Sequence, residues 1–186
     1  MEKTEIKRQL ILNKIADYLL ASGMKDSSLR QLASHIGTSD RMLLHYFLDK
    51  EELMNAALNL VATRLIDILE STRSKQMPFE TLITYLTGML KEPSIRPYLR
   101  LWLELAAMSI VSEVYRDIAV KICDGFYDWI ISVLIVEKDE ERASMAALTF
   151  ATIEGFVLLD SLGYGAKVTS ALKGITIRQI QSGKSL

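Results

Sequence analysis

Residues 28–53 read SLRQLASHIGTSDRMLLHYFLDKEEL. Within them Leu32, Ala33, Ile36, Gly37, Leu43, Tyr46 and Phe47 sit where two short helices meeting at a corner need them. Helices that cross closely need a small residue at the crossing, which Ala33 supplies. The first helix needs a stop in the left-handed conformation, and glycine adopts it at no steric cost, which points to Gly37. The second helix needs a large apolar side chain aimed back into the corner. Leu43, six residues past the glycine, provides it. This is helix-turn-helix spacing, in which the second helix lies in the DNA major groove.

Working outward, Leu12, Ile15, Ala16 and Leu19 form an i, i+3, i+4, i+7 stripe that predicts a helix over about 4–21, ended by Gly23. Ser27 or Ser28 caps the next helix and Ser39 the third. Asp49 and Glu52 form a D-x-x-E capping box that opens a long helix through Leu53, Ala57, Leu60, Arg64 and Ile68. A polar loop follows over 72–77. Pro78 suits the first turn of a helix striped by Phe79, Leu82, Ile83, Leu86 and Leu90, stopped by Pro93. Stripes from Tyr98 to Met108 and from Val111 to Val133 predict two more. Asp139, Glu140 and Glu141 supply a negative first turn to a helix ending near Leu162, before Gly163 and Gly165. A weaker helix spans about 168–180. The expectation is an all-α chain of about nine helices, divided into a DNA-binding module over 1–50 and a C-terminal domain over 51–186.

Composition bounds the function. The chain has 186 residues, 49% of them apolar, and a net charge of −1. Residues 1–50 hold eight Lys/Arg against six Asp/Glu, a net of only +2. A nucleic-acid footprint must therefore come from where charge is placed. One cysteine, Cys123, excludes an internal disulfide and suits a reducing compartment. The longest apolar run, Trp129 to Val136 with Ser132 inside it, is far short of the roughly 20 residues of a membrane span. A cytoplasmic protein with no membrane partner is expected. No phosphate-binding loop, dinucleotide glycine pattern or HExxH motif appears. His35 and His45 have neither a cysteine nor spaced acids to make a metal site, and no nucleophile is placed for them to activate. No catalytic residue, metal or cofactor is expected, and the chain reads as a non-enzyme.

Residues 28–53 resemble the DNA-binding domain of the TetR family of transcriptional repressors, with Ala33, Gly37, Leu43, Phe47 and Lys50 at family positions. The resemblance covers residues 4 to about 60 by motif and the remainder only by helix number and length. It implies an all-helical homodimer whose two modules bind a palindromic, double-stranded operator. It also implies a C-terminal pocket for a small molecule that releases the DNA. Thr38, Ser39, His45, Tyr46 and Lys50 are phosphate contacts by family position. Lys50 also opens a helix whose free N–H groups attract phosphate. Leu44 departs from the family, which carries a phosphate-contacting tyrosine there.

The remaining DNA candidates rest on side-chain chemistry. Arg41 can meet guanine O6 and N7 with its forked guanidinium, or grip a phosphate. Met42 can touch a thymine methyl, or be a partly exposed core residue. Asp40 can accept from a cytosine amino group, or cap its own helix. Ser28 and Arg30 can hold the backbone from the second helix, and Ser28 can equally serve only as a cap.

For the C-terminal domain, Tyr85, Met89, Tyr98, Trp102, Met108, Phe126, Trp129 and Phe150 are adaptable side chains of the kind that line a ligand cavity. The same pattern also describes plain core. With Glu104 and Glu154 in apolar stretches, the expected effector is hydrophobic or cationic. Ala143, Ala147, Ala151 and Gly155 repeat every four residues and form a ridge on which two helices can approach closely. That ridge suits a dimer bundle with the last helix, or packing inside one chain. A second reading of the whole is a dimeric sensing or protein-interaction module that has lost specific DNA binding.

Overall fold

The computed structural model describes residues 2–25, 27–72 and 76–182. Of the loop expected over 72–77, positions 73–75 lie outside the described residues. Nine α-helices are present among them: α1 (Glu2–Ser22), α2 (Leu29–Ile36), α3 (Asp40–Tyr46), α4 (Lys50–Thr72), α5 (Phe79–Met89), α6 (Arg96–Ser109), α7 (Glu113–Val133), α8 (Arg142–Ser161) and α9 (Gly165–Ser182). The all-α reading holds, with one addition. Met77–Pro78 (β1) and Leu134–Ile135 (β2) pair as two parallel two-residue strands. No sequence period can reveal a strand of two residues. Pro78 stands at the N-cap of α5 rather than inside its first turn. The acidic Asp139–Glu141 segment forms a short 3-10 turn ahead of α8.

The chain forms two compact units. One comprises the residues up to Thr72 with Pro97–Cys123; the other comprises those between Thr72 and Pro97 with Asp124 onward. In the first unit the apolar stripes meet in one core. Leu12, Ile15, Ala16 and Leu19 of α1 are buried with Leu32 and Ala33 of α2, Leu43 of α3, and Leu53, Met54, Ala57 and Leu58 of α4. Leu101 and Leu105 of α6 and Ile118 and Ala119 of α7 complete that core. The helix-turn-helix is thus built on a wider base than its own three helices.

Two links between distant parts of the sequence define this unit. Arg64 of α4 donates to Asp17 Oδ1 at 2.8 Å and to Asn13 Oδ1 at 2.6 Å, tying α4 to α1. Glu104 of α6 accepts the Met24 N–H at 2.6 Å, and Arg100 donates to the Leu20 carbonyl at 2.6 Å. The Glu104 carboxylate, placed by the sequence in an apolar stretch, thus holds the turn just past α1, while Arg100 satisfies a carbonyl of its last turn. Gly23 suits the left-handed backbone there, and any larger residue would also displace the Glu104 carboxylate. Its φ is 79°, and a Cβ on it would lie 2.5 Å from the Glu104 carboxylate.

In the second unit α8 buries Ala146, Thr149, Ile153, Phe156 and Val157 and packs against α5 and α9. The segment Asp139–Ser161 has a mean hydropathy of 1.4 over its most apolar window and is long and apolar enough to cross a membrane by length and composition. It holds no long uninterrupted apolar run, because Ser144, Thr149, Thr152, Glu154 and Gly155 break it. Its opposite face leaves Leu148, Leu158 and Leu162 exposed.

Candidate nucleic-acid interface

The corner is held by local chemistry. Ser28 caps α2: its Oγ accepts the Gln31 N–H at 3.3 Å, and its own N–H donates to Gln31 Oε1 at 3.2 Å. This reciprocal box satisfies two of the free donors that every helix start carries. At the other end Gly37 has φ 73°, Thr38 N–H donates to Ala33 O at 2.9 Å, and Gly37 N–H donates to Ser34 O at 3.3 Å. Those two bonds make a Schellman stop. A Cβ at Gly37 would meet nothing within 4 Å, so only backbone conformation demands glycine. Gly37→Ala is therefore expected to cost about 1–2 kcal/mol, the penalty of a left-handed L-residue, without repacking. Chemical denaturation checks this, and an unchanged midpoint would contradict it.

Ser39 caps α3, its Oγ accepting the Met42 N–H at 3.2 Å. Asp40 is the first residue of α3 rather than its cap, and its Oδ1 accepts the Arg41 N–H at 2.9 Å. Leu43 is fully buried and is the one buried residue of α3. Most of the rest of α3 faces outward. Asp40, Arg41 and His45 are exposed, Met42 is 42% exposed and Leu44 47%. Met42 thus stands clear of the core. Tyr46 is half-buried against the core, with the His45 ring edge-on to it at 5.0 Å. Thr38 and Lys50 are half-buried, and Ser28, Arg30 and Ser39 exposed. All ten DNA candidates fall within the first unit, on the start of α2, the turn, α3 and the first residue of α4.

The capping box at α4 takes a different form from the expected one. Asp49 Oδ1 accepts the Glu52 N–H at 2.8 Å, but Glu52 reaches past Asp49 to the Leu48 N–H at 2.5 Å. Its other oxygen is held by Arg8, whose Nη2 donates at 3.0 Å. The Arg8 guanidinium lies 4.7 Å from the centre of the Phe47 ring. Arg8 of α1 thereby braces the turn that presents Lys50. Sequence reading missed Arg8 because its partner is 44 positions away and no local pattern marks it.

Two tyrosines of this unit titrate high. Burial raises the pKa of Tyr98, with Asp17 adding to the shift and Arg64 opposing it. Burial also raises that of Tyr115, helped by Glu51. The folded state then keeps phenolic protons that the unfolded chain releases above about pH 10. Stability present below that pH is lost as pH climbs through the folded values. Melting temperature should fall as pH rises above about 10, and fall less in a Tyr98→Phe/Tyr115→Phe double variant. Equal losses in the two proteins would contradict the assignment.

The aromatic and methionine set proposed for a pocket is divided between the units. Tyr98, Trp102 and Met108 pack against the first unit's core. Tyr85, Met89, Phe126, Trp129 and Phe150 belong to the second. There Phe126 stacks on Trp129 at 5.7 Å and lies 6.0 Å from Phe150, with Trp129 buried. A separate cleft of 230 Å³ in the second unit is lined by Thr87, Leu90, Lys91, Asp160, Gly165 and Val168, among others. On the proposed dimer ridge Ala143, Ala147 and Ala151 are exposed and Gly155 half-buried.

Residues 11–57 match the family model for bacterial regulatory proteins of the tetR family. The chain carries a TetR-family N-terminal domain. No curated protein matches in sequence. Three solved structures share the fold over nearly the whole chain. A transcriptional regulator from Rhodococcus sp. Rha1 superposes with a TM-score of 0.71 at 21% identity, covering 94% of this chain and 96% of its own. A proposed TetR-family transcriptional regulator from Rhodococcus sp. gives 0.71 at 20% identity, covering 97% and 98%. A proposed transcriptional regulator from Saccharomonospora viridis, in complex with choline, gives 0.64 at 18%, covering 92% and 94%. The matched residues are those of a DNA-binding module of bacterial regulators, and the solved structures share the fold of that module with a helical C-terminal part.

Proposed function

We propose that this TetR-type chain is a ligand-responsive repressor that binds a palindromic operator as a homodimer and releases it when a small molecule binds beyond residue 60. The observation that carries the reading is α3: capped at Ser39, anchored by buried Leu43, with Arg41, Met42 and His45 turned outward. Arg41 and Met42 are assigned to base edges. Ser28, Arg30, Thr38, Ser39, His45, Tyr46 and Lys50 are assigned to the phosphates that set register. Asp40 serves the helix start. Residues 1–50 read DNA, residues 51–186 sense and dimerise, and the protein works in the cytoplasm.

The dimer is assigned to α8 with α9. Ala147, Leu148, Ala151, Leu158 and Leu162 leave an apolar face uncovered, and a Cβ at Gly155 would meet no heavy atom within 4 Å. Such a face gains most by burial against a second copy. A hydrophobic or cationic effector is favoured by the aromatic clusters, and the choline-bound relative is one instance of a cation held on this fold. Its effect would be a change in the spacing of the two recognition helices, limited by its differential affinity for the two states.

Ala151→Glu would set two carboxylates against each other across the two-fold. The variant should sediment as a monomer and lose the paired footprint, two half-sites about one DNA turn apart, on the DNA flanking its gene. A footprint unchanged in the variant would sink the dimer assignment. The second reading, a dimeric sensor without specific DNA binding, draws on Asp40 and Leu44, an acid and an apolar side chain exposed where a polyanion would lie. Dimerisation with no duplex affinity at low salt would favour it.

A further inference from the structure

Asp40 and Leu44 stand four residues apart and so share one ridge of α3. That ridge offers a phosphate nothing. Asp40 is an acid with Oδ1 committed to the Arg41 N–H, and Leu44 has no donor. Yet Leu44 is 47% exposed, and Leu48 in the following turn is 84% exposed. Neither is loosely held. Leu44 lies inside a helix closed by Ser39 at one end and by Phe47 N–H to Leu43 O, at 2.9 Å, at the other. Leu48 has its N–H fixed by Glu52. A rigid helix offering leucine to a groove needs an apolar partner there. On the major-groove edges of B-DNA the apolar feature is the C5-methyl group of thymine, next to donors and acceptors that leucine cannot use.

We propose that Leu44 is a specificity residue of α3 that reads a thymine 5-methyl group, so that the operator half-site carries thymine beneath it. The inference rests on the DNA-reading assignment of α3 and goes beyond it by naming the chemistry recognised. Burying the methyl against Leu44 is expected to be worth about fourfold in affinity, the value of one buried methyl-sized group.

The test is a duplex enriched by the full-length protein from a randomised pool, compared with the same duplex in which each thymine in turn is replaced by uracil. Uracil keeps every hydrogen-bonding group and loses only the methyl. One replacement per half-site should weaken wild type about fourfold. Leu44→Ala should weaken binding to the parent duplex by a similar factor and show no further loss at that one position. Loss at other thymines, such as any under Met42, should persist in the variant, so the cycle isolates Leu44. Thermal melting of Leu44→Ala should match wild type, because the side chain is outside the core. The proposal is overturned if no uracil replacement matters, or if every loss persists undiminished in Leu44→Ala. It is also overturned if Leu44→Ala binds the parent duplex as wild type does, the outcome expected of a protein-docking leucine. A pool that yields no enriched duplex overturns the DNA-reading assignment itself, which is a separate result.

Discussion

Leu43→Ala is expected to cost about 2–5 kcal/mol of stability and to abolish sequence-selective DNA binding. The residue is fully buried, and no other residue of α3 is. A seven-residue helix has no stability of its own, because nucleation is costly and few hydrogen bonds repay it. Removing the Leu43 side chain leaves a cavity in the core it shares with Leu32 and Ala33 and frees α3 to leave its dock. Denaturant titration reads the stability loss, and duplex titration reads the loss of selectivity. Leu43→Met keeps the volume and should cost less than about 1.5 kcal/mol while retaining selectivity. A Leu43→Ala protein that kept its duplex preference would show that α3 is not the reading element.

Arg41→Ala is expected to weaken binding to an enriched duplex by about 1–3 kcal/mol, roughly 5- to 150-fold, with no change in melting temperature. Arg41 is exposed and its side chain has no described partner in the fold, so stability has little to lose. A base contact makes the loss selective: a scrambled duplex should be bound almost as before. Lys50→Ala should behave in the opposite way, weakening every duplex alike and lowering the salt slope by about one. Uniform loss in Arg41→Ala, with a shallower salt slope, would reassign Arg41 to the phosphates.

The corner was legible because its determinants are local. Ala33, Gly37 and Leu43 act within ten residues of one another, and a left-handed glycine and a capping serine each have a chemistry visible in the chain. The serine cap of α2 was legible only as Ser27 or Ser28; the structure resolves it to Ser28 and adds Gln31. What escaped has partners distant in sequence. Glu104 satisfies Met24 across 80 positions, and Arg8 meets Glu52 across 44. Charged residues at such separations carry no periodic signal. The inclusion of Pro97–Cys123 in the unit that holds the helix-turn-helix escaped for a related reason. The stripes of α6 and α7 show which face is apolar, but not which neighbour it meets. The aromatic set shows this directly: chemistry grouped eight residues that the fold divides three and five.

The most direct test of the central claim is the affinity of the full-length protein for its enriched duplex against a scrambled duplex of equal length, measured across a range of salt. The account predicts a preference of at least about 10³ at physiological salt, with affinity for both duplexes falling steeply as salt rises. Equal affinity for the two at every salt concentration would contradict it.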